Sequence, residues 1–239
     1  FRKMGVEINI TDDEVIVEGV GLHGLEAPSE ALYTGNSGTT TRLLCGILAG
    51  QPFTVTMSGD PSIQKRPMGR VMKPLREMGA SIEGKNDNFC PLTLFPSELH
   101  GIEYRLPVAS AQLKSAILLA GLYAEGQTTV IEPAPSRDHT ERMFRALGVE
   151  IETSGSTITL DPPEDLHAVD IAVPGDISSA AFFLVAGAII PGSELTIKNV
   201  GVNPTRTGIL DVLRDMGADI TESNFRDEAE PVCDLTVKY

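Results

Sequence analysis

A phrase that recurs at a fixed interval constrains this chain more than any other feature. FRKMGVEI begins at Phe1, LREMGASI at Leu75, FRALGVEI at Phe144 and LRDMGADI at Leu213. The glycines of the last three copies, Gly79, Gly148 and Gly217, lie 69 residues apart each time. Self-similarity at one period is the mark of a repeated supersecondary unit. The copy at Phe1 reads as the tail of a helix with no helix ahead of it, so the chain is expected to be a piece of a longer repeat protein.

Each full unit follows one order. A small-residue, hydroxyl-rich segment runs into an apolar helix: GNSGTTTRLLCGILAG (35–50), ASAQLKSAILLAGLYAEG (109–126) and GDISSAAFFLVAGAII (175–190). A strand follows (FTVTMSG, TTVIEP, ELTIKNV), then a Pro-Ser or Pro-Thr turn, a second helix, and a closing strand or hairpin such as STITLDP or CDLTVKY. Ser136 and Thr205 are placed to act as N-caps of the second helix. Pro67 suits a first helical position, where its missing N–H costs nothing. The repeated glycines suit the left-handed residue that ends a helix. The unit therefore reads β-α-β-α-β-β, an α/β (α+β) class with mixed sheets. The first helix of each unit is apolar on all sides, which predicts burial. Its polar start predicts an opening onto a cleft, where free N–H groups and the helix dipole attract anions.

Charge sharpens that expectation. The chain has 239 residues and a formal net charge of −14, which argues against nucleic acid and anionic membrane as partners. Yet six of its 19 Lys and Arg residues fall between Arg42 and Arg76: Arg42, Lys65, Arg66, Arg70, Lys73 and Arg76. Cations concentrated in one segment of an acidic chain imply a local anion site. The apolar runs are too short to span a bilayer, and Phe1 to Gly19 does not read as a secretory signal. Three cysteines, Cys45, Cys90 and Cys233, lack metal-like spacing and suit reduced thiols in the cytoplasm. No cofactor or metal is expected.

The sharpest motif is Asn36-Ser-Gly38-Thr39-Thr-Thr-Arg42. Gly38 lets backbone approach a ligand, Asn36 and Thr39 supply neutral donors, and Arg42 supplies fixed charge. Lys65-Arg66-Pro67 follows, with Arg66 able to grip a phosphate or carboxylate through two N–H groups. Ser110, Ala111, Gln112 and Lys114 begin one helix; Ser136, Arg137, Asp138 and His139 begin another. Hydroxyl, amide and guanidinium groups together suit a phosphorylated, polyhydroxylated small molecule. Ser62-Ile-Gln-Lys65 matches S-x-x-K without the companion hydrolase motifs. Ser136, Asp138 and His139 are too close in sequence for a catalytic triad.

Taken together, GNSGTTTRLL, GDPSIQKRPM, PVASAQLKSAILLAGL, PSRDHTERM, PGDISSAAFFL and VNPTRTGILDVLRDMGADI resemble the 5-enolpyruvylshikimate-3-phosphate synthases, a branch of the enolpyruvyl transferase family. The resemblance covers essentially the whole chain and is strongest to bacterial members with Ser-Ala-Gln at 110–112. It implies an inside-out α/β barrel fold of two domains, each built from three units about a pseudo-threefold axis and incomplete in this chain. Residues 1–172 would hold the tail of one unit and two full units of the first domain, and 173–239 the first unit of the second. It implies transfer of the enolpyruvyl group of phosphoenolpyruvate to the 5-hydroxyl of shikimate 3-phosphate, the step that leads toward chorismate and aromatic amino acids.

By the same resemblance, Gly38, Arg66 and Gln112 would contact phosphoenolpyruvate. Ser110, Ala111, Gln112, Ser136 and Arg137 would hold shikimate 3-phosphate, and Asn36, Thr39 and Arg42 would shape the pocket floor. Glyphosate would bind as an inhibitor, and the full-length enzyme would be a cytoplasmic monomer completed by the rest of the same polypeptide. The family's Lys-Ser…Arg motif and its acidic general base are not matched in this chain, so the chain alone is expected to be inactive. Two alternatives differ in testable ways. A UDP-N-acetylglucosamine enolpyruvyl transferase would use a reactive loop cysteine, and a non-catalytic repeat scaffold would not bind anions at its helix starts.

Overall fold

The computed structural model of the protein describes residues 1–227 and 229–239. The chain divides into two compact units. One is Phe1–Ser136 with Leu147–His167; the other is Arg137–Ala146 with Ala168–Tyr239.

In chain order the first unit contains β1 (Glu7–Ile10), β2 (Val15–Glu18), β3 (Leu32–Tyr33), α1 (Gly38–Ala49), β4 (Val55–Ser58), α2 (Gly69–Glu77), β5 (Ser81–Lys85), β6 (Phe89–Phe95), β7 (Glu103–Arg105), α3 (Ala111–Gly121) and β8 (Thr128–Ile131). After α4 (His139–Ala146), which belongs to the second unit, β9 (Ile151–Ser154) and β10 (Thr157–Leu160) complete it. The second unit continues with α5 (Ile177–Ile189), β11 (Glu194–Gly201), α6 (Gly208–Asp215), β12 (Asp219–Asp227) and β13 (Pro231–Lys238).

The repeat is visible in the sheets. β3, β4, β6 and β5 lie in that order, and so do β7, β8, β10 and β9. In each sheet the first two strands run parallel and the last two pairs antiparallel. A parallel pair needs a crossover, and the apolar helix of each unit supplies it. The third sheet keeps the pattern as β11-β13-β12, with the opening strand reduced to a single parallel bridge between Gly175 and Val200. The β-α-β-α-β-β unit read from the sequence is thus the unit of the fold. Among the described residues, no helix is long and apolar enough to cross a membrane.

The terminating glycines behave as their position requires. Gly5, Gly79, Gly148 and Gly217 have φ of 84°, 102°, 83° and 93°. After α2 and α6, paired backbone bonds close the helix end: Gly79 N to Arg76 O with Ala80 N to Leu75 O, and Gly217 N to Arg214 O with Ala218 N to Leu213 O. Gly208, in contrast, has an ordinary φ and open space where a Cβ would point. Gly208→Ala is expected to stabilise the chain by up to about 1 kcal/mol, by narrowing the unfolded ensemble. A lowered urea midpoint would refute that.

Three local expectations are corrected. Pro67 does not open α2, which starts at Gly69; Asn88 caps it from outside, accepting from Met68 N through its carbonyl and from Gly69 N through Oδ1 at 2.8 Å. Thr205 does not cap α6, which starts at Gly208. Its amide and hydroxyl both donate to Asn203 Oδ1, at 2.9 and 2.6 Å. Ser136 does not cap α4; its hydroxyl donates to Glu132. In the latter two cases the helix starts three residues beyond the hydroxyl, at His139 and Gly208.

A fourth concerns burial. α1 and α3 are core helices, but α5 buries only a stripe of Ile177, Ala180, Leu184 and Gly187 against β11 and β13. Phe182 and Ile189 are 78% and 67% exposed. The spacing of that stripe is an ordinary helix face.

Candidate anion site

The site forms in the first unit, where two helices start side by side. Their direction follows from three levels of contact. At the starts, Gln112 Nε2 donates to Thr39 Oγ1 at 2.8 Å. Midway, Gly46 faces the backbone of Ala116, and at the ends Gly50 faces Tyr123. Residue numbers rise together along both, so α1 and α3 run parallel and present their positive ends in the same direction. Gly46 makes this possible: a Cβ there would lie 2.2 Å from Ala116 O.

Both helices are capped by serine. Ser37 accepts from Thr40 N at 3.0 Å and Ser110 from Leu113 N at 3.4 Å. A serine that accepts in this way keeps its own hydroxyl proton for an outside partner. Ser37 gives its proton to Thr40 Oγ1 at 2.7 Å.

Onto these helix starts the cations converge. Arg42 Nη1 donates to Gln112 Oε1 at 2.6 Å, tying the two helices together. Arg66 Nη2 donates to Asn36 Oδ1 at 3.0 Å. Gly38 sits beneath both guanidinium groups. A Cβ at Gly38 would come within 3.0 Å of Arg66 Nη1 and 3.2 Å of Arg42 Nη1. Burial, then the like charges of Arg70 and Arg66, pull the Arg42 guanidinium below its ordinary range. Arg42 Nε is buried with no hydrogen-bond partner among the described residues. Crowded like charges and an unsatisfied buried donor mark a place where an anion would be welcome.

The structure therefore joins Asn36, Gly38, Thr39, Arg42, Arg66 and Gln112 in one cluster. Ser110 and Ala111 lie on the same first turn as Gln112. Ser136 reaches that helix indirectly. Its hydroxyl donates to Glu132, whose other carboxylate oxygen receives Lys114 Nζ of α3 at 3.0 Å. Glu132 escaped the sequence reading, although an acid closing the apolar strand TTVI was a signal. Arg137 is exposed and belongs to the second unit.

Within the second unit a cavity of about 330 Å³ is bordered by His139, Asp176, Asn203, Arg206 and Glu230. Its polar groups are bonded to one another or to Asp138: His139 Nδ1 to Glu230 at 2.6 Å, Asn203 Nδ2 to Asp138 at 2.6 Å, and Arg206 to Asp176 at 3.3 Å. Burial against Asp138 is outweighed by the Asn203 bond and by Arg142, which hold its carboxyl below the usual range.

The thiols are not nucleophiles. Cys45, Cys90 and Cys233 are all free and buried. Burial, with Cys90 nearby, pushes Cys45 up to about 12; burial, with Glu222 and Asp234, pushes Cys233 up to about 11. Burial raises Cys90 also. A reactive-cysteine transferase is not favoured.

Comparison with known proteins places the chain in a family. A family model described as EPSP synthase (3-phosphoshikimate 1-carboxyvinyltransferase) matches residues 1–238. The chain is 60% identical to a 3-phosphoshikimate 1-carboxyvinyltransferase of Geobacillus kaustophilus, over all of this chain and 56% of that protein. It is 56% identical to one of Bacillus cytotoxicus, over all of this chain and 57% of that one. A solved EPSP synthase of Acinetobacter baumannii superposes with a TM-score of 0.93 at 51% identity, covering 99% of this chain and 54% of that one. The chain thus spans little more than half the length of the relatives it matches. It belongs to the EPSP synthase family, the 3-phosphoshikimate 1-carboxyvinyltransferases.

Proposed function

We propose that this chain supplies the phosphoenolpyruvate site and part of the shikimate 3-phosphate site of an enzyme that joins the two. One observation carries the reading. The cluster of Gly38, Arg42, Arg66 and Gln112 at two parallel helix starts is built for a small, multiply charged anion, in a chain matched end to end by the synthase family.

The reaction adds the substrate 5-hydroxyl to C2 of phosphoenolpyruvate while a proton is delivered to its methylene carbon. The tetrahedral intermediate then loses a proton from the new methyl group together with inorganic phosphate, which restores the carbon–carbon double bond in the product's enol ether. Two phosphates and a carboxylate need cations, and the hydroxyl needs a base. Gly38, Arg66 and Gln112 hold phosphoenolpyruvate, with glyphosate as a competing ligand. Ser110, Ala111, Gln112, Ser136 and Arg137 hold shikimate 3-phosphate. Asn36, Thr39 and Arg42 keep the floor in register. Residues 1–172 belong to one domain and 173–239 open the next. The chain by itself is inactive, because the family's Lys-Ser…Arg motif and acidic general base are not matched in it; turnover by the purified chain would overturn that.

An NMR titration separates this reading from its rivals. Saturable shifts at Ser110, Gln112 and Ser136 are expected with shikimate 3-phosphate and not with UDP-N-acetylglucosamine. Shifts with the latter, or full-length protein indifferent to both shikimate 3-phosphate and phosphoenolpyruvate, would refute it.

Gly38→Ala offers a finer check. The atoms its methyl meets are the ends of flexible arginines, so the fold survives. The guanidinium groups must move from the positions that would grip an anion. The KM for phosphoenolpyruvate in the full-length enzyme is expected to rise roughly tenfold or more, with the thermal midpoint unchanged.

A further inference from the structure

Lys114, the one cation of α3, is 1% exposed, and its ammonium meets Glu132 at 3.0 Å. Burying such a pair is costly, and apolar residues of similar volume often serve stability as well or better. The pair therefore calls for another explanation. Glu132, the residue after β8, has two oxygens in distinct employment. One faces Lys114, one turn into the helix that Ser110 caps. The other accepts the hydroxyl proton of half-buried Ser136. A serine hydroxyl is otherwise a free rotor, and the segment Ala134–Arg137 has no helix or strand bonds to hold it. The ion pair thus fixes the hydroxyl of Ser136 relative to the start of α3.

We infer that Glu132, anchored by Lys114, is a positioning residue that sets Ser136 for shikimate 3-phosphate. The inference rests on the substrate reading above. Glu132 acts on the ligand through Ser136, and Lys114 acts through Glu132. A ligand group bridging Ser110 and Ser136 then meets two hydroxyls held by one rigid connection.

The test uses the full-length enzyme and two charge-free replacements. Lys114→Met with Glu132→Gln keeps an oxygen for Ser136, whereas Lys114→Met with Glu132→Leu removes it. Both remove the Lys114 ammonium and the Glu132 carboxylate together. The Leu pair is expected to raise the KM for shikimate 3-phosphate roughly five- to tenfold, the worth of one hydrogen bond, with kcat little changed. The Gln pair is expected to stay near the unsubstituted enzyme. In a Ser136→Ala background the two pairs are expected to have the same KM, because there is no hydroxyl left to position. Equal KM values for the two pairs with Ser136 present would overturn the inference, as would a difference that persists without it. Should the Leu pair fail to fold, Ser136→Ala alone still decides: an unchanged KM for shikimate 3-phosphate refutes the role. Absence of any shikimate 3-phosphate-dependent phosphate release by the unsubstituted enzyme is a different result. It overturns the substrate reading and this inference with it.

Discussion

Gly46→Ala is expected to lower the thermal midpoint of the chain by roughly 10 °C. The added Cβ would sit 2.2 Å from Ala116 O and 3.0 Å from Leu119 Cβ. Neither can swing away: the first is helix backbone and the second is the root of a side chain. α1 and α3 must therefore separate. Overpacking of a close-packed core costs about 1–3 kcal/mol, and a clash with backbone belongs at the upper end. A domain of this size loses about 2–4 °C per kcal/mol. The separation also pulls Arg42 from Gln112, so affinity for phosphoenolpyruvate is expected to fall with stability. An unchanged midpoint would mean that the two helices are not packed as described.

Arg66→Ala is expected to do the reverse, leaving the fold intact and disabling the site. Arg66 is exposed and its one side-chain bond goes to Asn36 at 3.0 Å. Surface changes of this kind shift stability by about 0.5 kcal/mol or less. Removing one partner of a hydrogen-bonded charge pair costs about 2–5 kcal/mol of binding. For the full-length enzyme, kcat/KM for phosphoenolpyruvate is then expected to drop on the order of a hundred- to thousandfold. Arg66→Lys is expected to recover only part of this, since a point charge lacks the two-pronged donor geometry. Kinetics indifferent to both substitutions would remove Arg66 from the site.

The repeat was readable from sequence because its signals are local. The glycine after each second helix needs only its own φ to explain it, and Gly79, Gly148 and Gly217 all adopt the left-handed region. Partnerships were not readable. Arg42 and Gln112 are 70 residues apart, Asn36 and Arg66 30 apart, and nothing in either segment names the other. The cap assignments failed for the same reason. Ser136 and Thr205 have the right chemistry, but each lies three residues ahead of its helix, where its hydroxyl donates to Glu132 or Asn203. For α5 the pattern "apolar all round" described the helix and not its neighbours, so Phe182 stands exposed.

The crowding of Arg42, Arg66 and Arg70 ties the folding equilibrium to what the solution contains. Like charges held together oppose folding, and a bound anion acts as their counterion. Occupancy and stability then become one quantity read two ways. A ligand at a hundred times its Kd adds about 2.7 kcal/mol, and a simple salt that screens the arginines recovers part of that gain without specific binding. Midpoints compared at different phosphate concentrations are therefore measurements of different species, and a thermal shift in low-salt buffer becomes a direct titration of the site.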